Sequence, residues 1–359
     1  MLAASRESAA PNETTEPFLT EVWYMAGWSH EVGEGLLRRR ICGRAVLLFR
    51  KENGEAAGMH DRCPHRFAPL SAGTRVGDTV RCGYHGLGFD AAGACVYNPF
   101  SETIPKGARV RTYVVAERNG IVWIWLSAPD RADPAAISDF SLLDRPCGPP
   151  LSGYTLMGAG YEFGTDNLMD LSHIEFVHRG SFAGAGVIFA GKHEVVELGE
   201  TLHSNWWMPN VKAPAHTMGI YDPEMITDHW LDMRWNAPAN MYLQIGATPP
   251  GEPREGGIIV HQAHILTPES EGSTHYFWAS TRPFDAVIPE ADAMVISLFQ
   301  QAFDEEDKPM IEAAYANLDG EDFWAGRPLY LGIDAGGTRA RRKIEQMKQL
   351  ERDSRSPVA

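Results

Sequence analysis

The sequence predicts an α+β protein with two domains: an all-β N-terminal half, then a half in which helices cover an antiparallel β-sheet. A length of 359 residues, 44% of them hydrophobic, is enough for two separate cores. The first half alternates short apolar runs with turn residues, and the second half mixes strand and helix periodicities. We place a disordered tail at 1–17, the domains at 18–135 and 136–345, and a second tail at 346–359.

The first domain is predicted to consist of short strands. The runs "AVLLFR", "RTYVVAER" and "IVWIWLSA" are apolar or alternating, and Gly, Asp and Pro turns separate them. A Pro-rich stretch, "APDRADPAAISDF" followed by "DRPCGPPLSG", interrupts this pattern. We therefore expect the domain boundary near 130–150.

The second domain contains both kinds of element. The segment "GYTLMGAGYEFG" predicts a strand that leads into a helix at 165–178. Three further strands of an antiparallel sheet are predicted in "NMYLQIGATPP", "GGIIVHQAHILTPE" and "STHYFWASTRPF". Apolar residues at three- and four-residue spacings predict a helix at about 290–316, and "TRARRKIEQMKQLERDSR" predicts a charged helix.

Composition excludes several classes of partner. The net charge of −15 argues against binding to nucleic acid or to an anionic membrane surface. No run of eighteen apolar residues exists, and the N-terminus lacks the basic and apolar regions of a signal peptide. The five cysteines are an odd number in a long chain, which favours a reducing compartment without structural disulfides. We therefore expect a cytoplasmic protein.

Two cysteines and two histidines form the first chemical motif. Cys63 and His65 are spaced C-x-H, and Cys82 and His85 follow sixteen residues later as C-x-x-H. A zinc finger usually pairs like ligands, and a redox dithiol needs C-x-x-C, which is absent here. In a Rieske [2Fe–2S] cluster, one iron takes two thiolates and the other takes two imidazoles, so two mixed loops suit it. Structural Cys and His residues without a metal are the remaining alternative.

The residues around this motif agree with a cluster. Pro64, Gly83 and Gly86 permit tight loops whose backbone N–H groups can face the sulfides. Neutral imidazole ligands raise the potential of such a cluster to roughly −150 to +300 mV. Because the cluster stores single electrons and changes no bonds by itself, it needs an electron donor and an acceptor.

A second motif lies in "GTDNLMDLSHIEFVHRG", which contains D-x-x-H-x4-H. Asp170 and His173 would share a helix face, whereas His173 and His178 converge only if the helix ends or distorts. Two histidines with an open third position suggest the 2-His-1-carboxylate triad of non-haem Fe(II) oxygenases. The alternative is two ordinary histidines near a helix end.

The third ligand of such a triad should be a carboxylate on another element. The segment "FQQAFDEEDKPMIEAAY" offers four acidic residues at 304–307. Asp307 falls within the apolar stripe of the predicted helix, whereas Glu305 points away. The stripe runs through Phe299, Phe303, Met310, Ile311 and Ala314. A buried carboxylate is costly unless it is paired or bound to a metal. This favours Asp307 as the ligand, with Glu306 as the alternative, and a solvated acidic patch would suit 304–306 better.

With both motifs in place, the chain resembles the Rieske non-haem iron oxygenases, and in particular the oxygenase components of the vanillate and dicamba O-demethylase group. The resemblance extends through "WYMAGW", "YNPFSETIPKGARVRTYVV", "DNLMDLSHIEFVH", "HILTPE" and "EDKPMIEAA". It implies an N-terminal Rieske domain and a helix-grip-like catalytic domain. The implied ligands are Cys63 and Cys82 on one cluster iron, His65 and His85 on the other, and His173, His178 and Asp307 on a mononuclear Fe(II).

The resemblance also implies how electrons arrive. Asp170 would link the partner subunit's His85 to His173 within a head-to-tail homotrimer, and Asn167 is the second polar residue expected there. A monomer with both centres at one internal interface is the alternative. Because the sequence has no Gly-rich dinucleotide motif, NAD(P)H would act through a separate reductase, directly or through a ferredoxin.

The implied reaction is O2 activation at Fe(II) to hydroxylate or demethylate a small aromatic substrate. O-demethylation of a methoxylated aromatic acid is favoured. The alternatives are N-demethylation, ring dihydroxylation, or a non-catalytic Rieske electron carrier. The predicted substrate pocket is lined by His264, Gln244, Leu298 and Phe299. His264 would bond a substrate oxygen, or else be an ordinary sheet histidine satisfied by backbone.

Overall fold

The computed structural model describes residues 17–144, 148–179, 181, 186–283 and 286–355. Nearly all of the predicted N-terminal tail and one cysteine, Cys147, lie outside these ranges. The other four cysteines are buried, and none forms a disulfide among the described residues.

The first domain is built from ten short strands in two antiparallel sheets. The strands are β1 Trp23–Trp28, β2 Leu37–Ile41, β3 Arg44–Arg50, β4 Ala56–His60, β5 Thr74–Val76, β6 Thr79–Arg81, β7 Gly88–Phe89, β8 Cys95–Tyr97, β9 Thr112–Arg118 and β10 Ile121–Trp125. One sheet has the order β1-β10-β9-β4-β3-β2, and the other has the order β5-β6-β7-β8. The three strands predicted from apolar runs correspond to β3, β9 and β10.

The second domain is organised around one antiparallel sheet with the order β11-β17-β16-β15-β14-β13-β12. Its strands are β11 Leu151–Met157, β12 Lys192–Leu198, β13 Thr201–Lys212, β14 Ile226–Asn236, β15 Asn240–Thr248, β16 Ile258–Ser270 and β17 Ser273–Ser280. The three predicted sheet strands are β15, β16 and β17. Strands β12, β13 and β14 were not predicted.

Five α-helices accompany this sheet in the described ranges. They are α1 Tyr161–Met169, α2 Ile174–Val177, α3 Pro289–Gln300, α4 Lys308–Ala316 and α5 Ala335–Arg355. A π-helical segment, Gln301–Asp307, joins α3 to α4. None of the described helices is both long and apolar enough to cross a membrane.

The two sides of the seven-stranded sheet pack against different partners. On one side, here called the helix side, Leu243 packs in a cluster with Phe303 of the π-helical segment. On the other, here called the domain side, Tyr242 and Phe277 pack with Trp123 of the first domain. Because side chains alternate along a strand, each strand supplies residues to both cores. A residue on the helix side is therefore on the opposite face of the sheet from Tyr242 and Phe277.

Two helix predictions need correction. The predicted helix at 165–178 is interrupted, since α1 ends at Met169 and a 3-10 turn, Leu171–His173, precedes α2. The predicted charged helix is present as α5, and residues 346–355, which the predicted domain limits assign to a tail, belong to it. Glu351 of this helix accepts hydrogen bonds from the backbone nitrogens of Thr20 and Glu21, so the helix end is tied to the start of the first domain.

The link between the domains is a series of 3-10 turns, at Pro129–Arg131, Pro134–Ala136 and Ser141–Leu143, between β10 and β11. The indole nitrogen of Trp23 donates to the carbonyl of Asp133, which holds this link against the first sheet. The predicted boundary at 135 falls within it and stays a prediction.

Candidate metal centres

Cys63 and Cys82 begin two loops of the same shape, between β4 and β5 and between β6 and β7. In each loop the cysteine nitrogen bonds the carbonyl five residues on, at 2.8 Å, and the cysteine carbonyl accepts from the nitrogen four residues on, at 2.9 Å. That fourth residue, Phe67 or Gly86, has a positive φ in both loops. The backbone therefore places the two cysteines in equivalent positions, and each loop carries its histidine two or three residues further on, as two loops that clamp one cluster require.

A close approach explains the glycine after Cys82. A Cβ on Gly83 would lie 2.6 Å from the carbonyl oxygen of Ala72, so a larger residue would push the two loops apart. Gly83 is thus needed because another backbone segment approaches it closely, and Gly86 because its backbone is left-handed.

The four side chains at the loop tips fit a cluster. The rings of His65 and His85 lie 4.6 Å apart, and both thiols are buried. Nδ1 of His85 is buried and has no hydrogen-bond partner among the described residues, as expected of an atom reserved for a metal. Burial raises the pKa of the Cys63 thiol to about 11, so a bound metal rather than the protein must make it a thiolate.

His173, His178 and Asp307 form the second centre, inside the catalytic domain. Nε2 of His173 lies 3.4 Å from one carboxylate oxygen of Asp307, and Nε2 of His178 lies 3.2 Å from the other. One ligand atom from each residue falls within 4.8 Å of the others, so the three could hold a metal ion. Two imidazoles and one carboxylate are the donor set of a non-haem iron site.

Helix interruptions bring these ligands together. The break after α1 and the end of α2 at Val177 allow His173 and His178 to converge although they are five residues apart. Asp307 is the last residue of the π-helical segment and is buried, whereas Glu305 is exposed, as predicted. Met310, which the apolar stripe places inside, is instead 59% exposed. The wider π-helical turn shifts the helix face, and such turns are frequent at functional sites.

Each ligand is oriented by a hydrogen bond to its other side. Nδ1 of His178 bonds Glu306 at 2.8 Å, and Nδ1 of His173 bonds the backbone carbonyl of Asp170 at 2.5 Å. Asn167 donates to Asp307 at 3.1 Å. In both histidines Nε2 therefore faces the site with its lone pair available, the arrangement typical of metal ligands.

Two sequence expectations change here. The expected contact between the Asp170 carboxylate and His173 is made by the Asp170 carbonyl, because the carboxylate caps the next turn by accepting from Ser172. Glu306, the alternative ligand, instead supports His178 and accepts further hydrogen bonds from Ser181 and Gln301. Its position next to Asp307 was the only sequence signal for this role.

The electrostatics keep the carboxylate ionised. Burial opposes ionisation of Asp307, yet His178 and His173 outweigh it and lower the pKa of Asp307. Burial lowers the pKa of His173. For His178, burial is outweighed by hydrogen bonds to Asp307 and Glu306, which raise its pKa. The site is therefore ready for a cation, which would displace any proton on His178.

The predicted pocket residues are not all brought together. His264 is buried on the helix side, where its ring lies 5.6 Å from that of Phe303, and Phe299 packs against Phe303 at 5.5 Å. Leu298 is only half-buried. Gln244 lies on the domain side, opposite His261, and its carbonyl accepts from the indole of Trp230 at 3.0 Å. Gln244 is therefore excluded from the helix-side pocket.

His264 has side-chain partners rather than the backbone partner weighed from the sequence. The hydroxyl of Tyr276 bonds its Nδ1 at 2.7 Å, and the carbonyl oxygen of Gln262 bonds its Nε2 at 3.1 Å. Sequence reasoning missed both partners, although Gln262 is two residues from His264 and must share its side of the strand.

Paired Cys/His loops on a small β domain, followed by a buried 2-His-1-carboxylate cluster, define a Rieske-type non-haem iron oxygenase. Comparison with known proteins agrees. The Rieske [2Fe-2S] domain family matches residues 22–113, and the family described as the vanillate O-demethylase oxygenase C-terminal domain matches residues 157–350.

Relatives match over nearly the whole chain. The oxygenase component of chloroacetanilide N-alkylformylase from Rhizorhabdus wittichii is 36% identical over 93% of this chain and 97% of its own. The oxygenase component of dicamba O-demethylase from Stenotrophomonas maltophilia is 37% identical over 93% and 99%. A structure of dicamba monooxygenase with non-haem iron and dicamba superposes with a TM-score of 0.82 at 34% identity, covering 94% and 99%.

The chain thus belongs to the vanillate O-demethylase oxygenase family and is the oxygenase component of a Rieske monooxygenase system. The predicted fold class and family are confirmed, as are a Rieske cluster and a non-haem iron as cofactors. Because its relatives are named as components, its electrons come from a separate partner protein.

Proposed function

We propose that this oxygenase hydroxylates the alkyl carbon attached to oxygen or nitrogen on a small aromatic substrate, so that the alkyl group is lost as an aldehyde. The observation that carries the proposal is the buried His173–His178–Asp307 cluster beside the apolar helix side of the sheet. Relatives named as an O-demethylase and an N-alkylformylase support dealkylation over ring dihydroxylation. O-demethylation is the first reaction to test.

The roles of the residues follow from their contacts. Cys63 and Cys82 would hold one cluster iron, and His65 and His85 the other. His173, His178 and Asp307 would hold Fe(II), which supplies O2 activation when bound. The remaining tasks fall to the chain itself: Glu306 and the Asp170 carbonyl orient the two imidazoles, and Asn167 holds Asp307.

A head-to-tail homotrimer is part of this proposal. Among the described residues, only one carboxylate oxygen of Asp170 accepts hydrogen bonds, both from Ser172, which leaves the other for the partner subunit's His85. Large apolar side chains are exposed beside both centres. They are Phe67 and Tyr84 at the cluster loops, and Phe176 and Phe189 near His178. Exposed apolar patches of this kind mark interfaces, and a cyclic contact would cover both at once.

Product analysis with a surrogate reductase tests the reaction. The iron-loaded protein, NADH and a panel of methoxy- and N-methyl-arenes should release formaldehyde in step with O2 uptake. A dihydrodiol without formaldehyde would instead identify a ring dihydroxylase, and O2-independent electron transfer alone would identify a carrier.

A further inference from the structure

A short chain of polar side chains lies on the helix side of the sheet, among mostly apolar neighbours. Gln262 and His264 of β16 and Tyr276 of β17 are all buried there. Gln262 lies opposite Leu243, and His264 lies opposite Met241. Tyr276 also borders a small cavity that Asp307 and Phe303 line. The chain of polar groups therefore reaches the candidate iron site.

The chain of hydrogen bonds has a direction. The carbonyl oxygen of Gln262 can only accept, so Nε2 of His264 must carry the hydrogen and donate. In the neutral ring Nδ1 is then a lone pair, which accepts from the hydroxyl of Tyr276. Both ring nitrogens of His264 are consequently in use. The amide nitrogen of Gln262 makes no hydrogen bond to any residue that the structure describes, so it is the donor left for a ligand.

The lysine that borders this cavity, Lys308, is 33% exposed, and its Nζ lies 4.0 Å from the carboxylate of Glu312. Arg39, Arg282 and Arg341 have side chains less than a tenth exposed, and each already pairs with a carboxylate, that of Glu31, Asp292 and Asp166 respectively. Burial lowers the pKa of His264 to about 4, which keeps the ring neutral.

We propose that Gln262 determines specificity for an uncharged aromatic substrate, by donating its amide hydrogen to a carbonyl or ether oxygen of an aromatic amide or ether. Apart from the metal that Asp307 would hold, a carboxylate buried beside Gln262 would meet one neutral donor and no unpaired, fully buried cation of the chain, and an unpaired buried charge is strongly disfavoured. The inference rests on the proposed dealkylation, and it favours neutral compounds over the aromatic acid expected from the sequence.

Matched pairs of probes test the inference. The 2-, 3- and 4-methoxybenzamides are compared with the corresponding methoxybenzoates on the iron-loaded protein. Dissociation constants come from calorimetry without O2, and formaldehyde release is measured separately. At least one amide should bind about tenfold or more tightly than its acid. If no amide binds better than its acid, the inference is overturned.

Two nearly isosteric variants isolate Gln262. In Gln262→Met the donor is gone, so the benzamide and the benzoate should bind with about equal dissociation constants. In Gln262→Glu both probes should bind more weakly than to the wild type, and the benzoate should lose the most affinity. Iron content and the cluster spectrum show that each variant is folded. Gln244→Met, on the domain side of the same sheet, should leave the preference unchanged. A preference that survives Gln262→Met would refute the role of Gln262. Tight amide binding without formaldehyde would uphold it and count against dealkylation instead.

Discussion

The cluster loops expose part of their ligand set, whereas the iron site buries nearly all of its own. His65 is exposed, and its loop depends on backbone hydrogen bonds within a few residues. Asp307 and His178 are buried, and their supporting partners come from segments more than 120 residues apart. Electrons must enter at a surface, while dioxygen chemistry needs a site that excludes water. The exposed cluster loops therefore suit the entry of electrons, and the buried iron site suits dioxygen chemistry.

The same contrast predicts how substitutions affect each metal site. A local site depends on its own loop, so one change removes the whole cluster. A site assembled from distant helices has both ligands and supporting residues. Substitution of a ligand should remove the metal, whereas substitution of a supporting residue should only weaken metal binding or slow turnover.

Cys82→Ser is the change with the largest expected effect. A serine oxygen is a far poorer ligand than a thiolate for the cluster iron, and the paired loop loses its counterpart. The Rieske paramagnetic signal and essentially all turnover should disappear, while mononuclear iron stays bound. A retained Rieske signal would remove Cys82 from the ligand set.

Asp307→Asn should produce the reverse pattern. The cluster signal remains, but mononuclear iron is lost, and formaldehyde release falls by at least about 100-fold, since even supporting residues cost 10–100-fold. Iron analysis beside the cluster spectrum measures both. Glu305→Gln is the matched control, because Glu305 is exposed two residues away and should behave as wild type.

Asp170→Asn tests the contact between the two kinds of site. Asparagine keeps the oxygen that accepts from Ser172, so the turn before His173 should survive. Both metal sites should be loaded, while turnover falls by about 100-fold because the charged link to the partner subunit's His85 is lost. Stopped-flow reoxidation of the cluster measures the slowed step. Full activity would take Asp170 out of the electron path.

Glu306→Gln should act more mildly. The amide can still face Nδ1 of His178 but no longer carries the charge that strengthens this bond. Iron affinity should drop by about 10-fold, with the cluster unchanged. Titration of the iron-depleted protein with Fe(II) provides the measurement, and an affinity equal to wild type would contradict the supporting role.

Acid should destabilise the catalytic domain through a buried histidine pair away from the metal. Burial lowers the pKa of His216 to about 3 and that of His229 to about 4, and their rings stack at 5.4 Å. The unfolded chain binds these protons below about pH 6.5 but the folded chain does not, so stability is lost as pH falls from 6.5 toward 4. The loss should be on the order of 1–3 kcal/mol per histidine.

Denaturant unfolding at pH 7 and pH 4.5 measures this loss. His229→Gln, which keeps a donor for the carbonyl of Gly246, should flatten the pH dependence. An unchanged slope in that variant would assign the acid sensitivity to other groups.

Much of both sites could be predicted from the sequence. The C-x-H and C-x-x-H pairs are local, and loop geometry follows from a few residues such as Gly83 and Gly86. The spacing of His173 and His178 required a helix break, which the structure contains. The sequence favoured Asp307 over Glu305 as the metal ligand only because Asp307 falls within the apolar stripe. A carboxylate in such a buried position is costly unless it is paired or bound to a metal.

Other features depended on contacts that no single segment encodes. The π-helical turn placed Glu306 behind His178 and left Met310 exposed, which an ideal helix does not predict. Gln244 and His264 look equally suited to a pocket in the sequence, yet the pairing of β15 with β16 puts them on opposite sides of the sheet.

By itself, the sequence determined which residues could bind metal, since ligand chemistry and short spacings are properties of local segments. The tertiary structure alone decided which groups support those ligands and which polar side chains share their space. Those relations depend on strand register and helix distortion, which arise only when distant segments pack together.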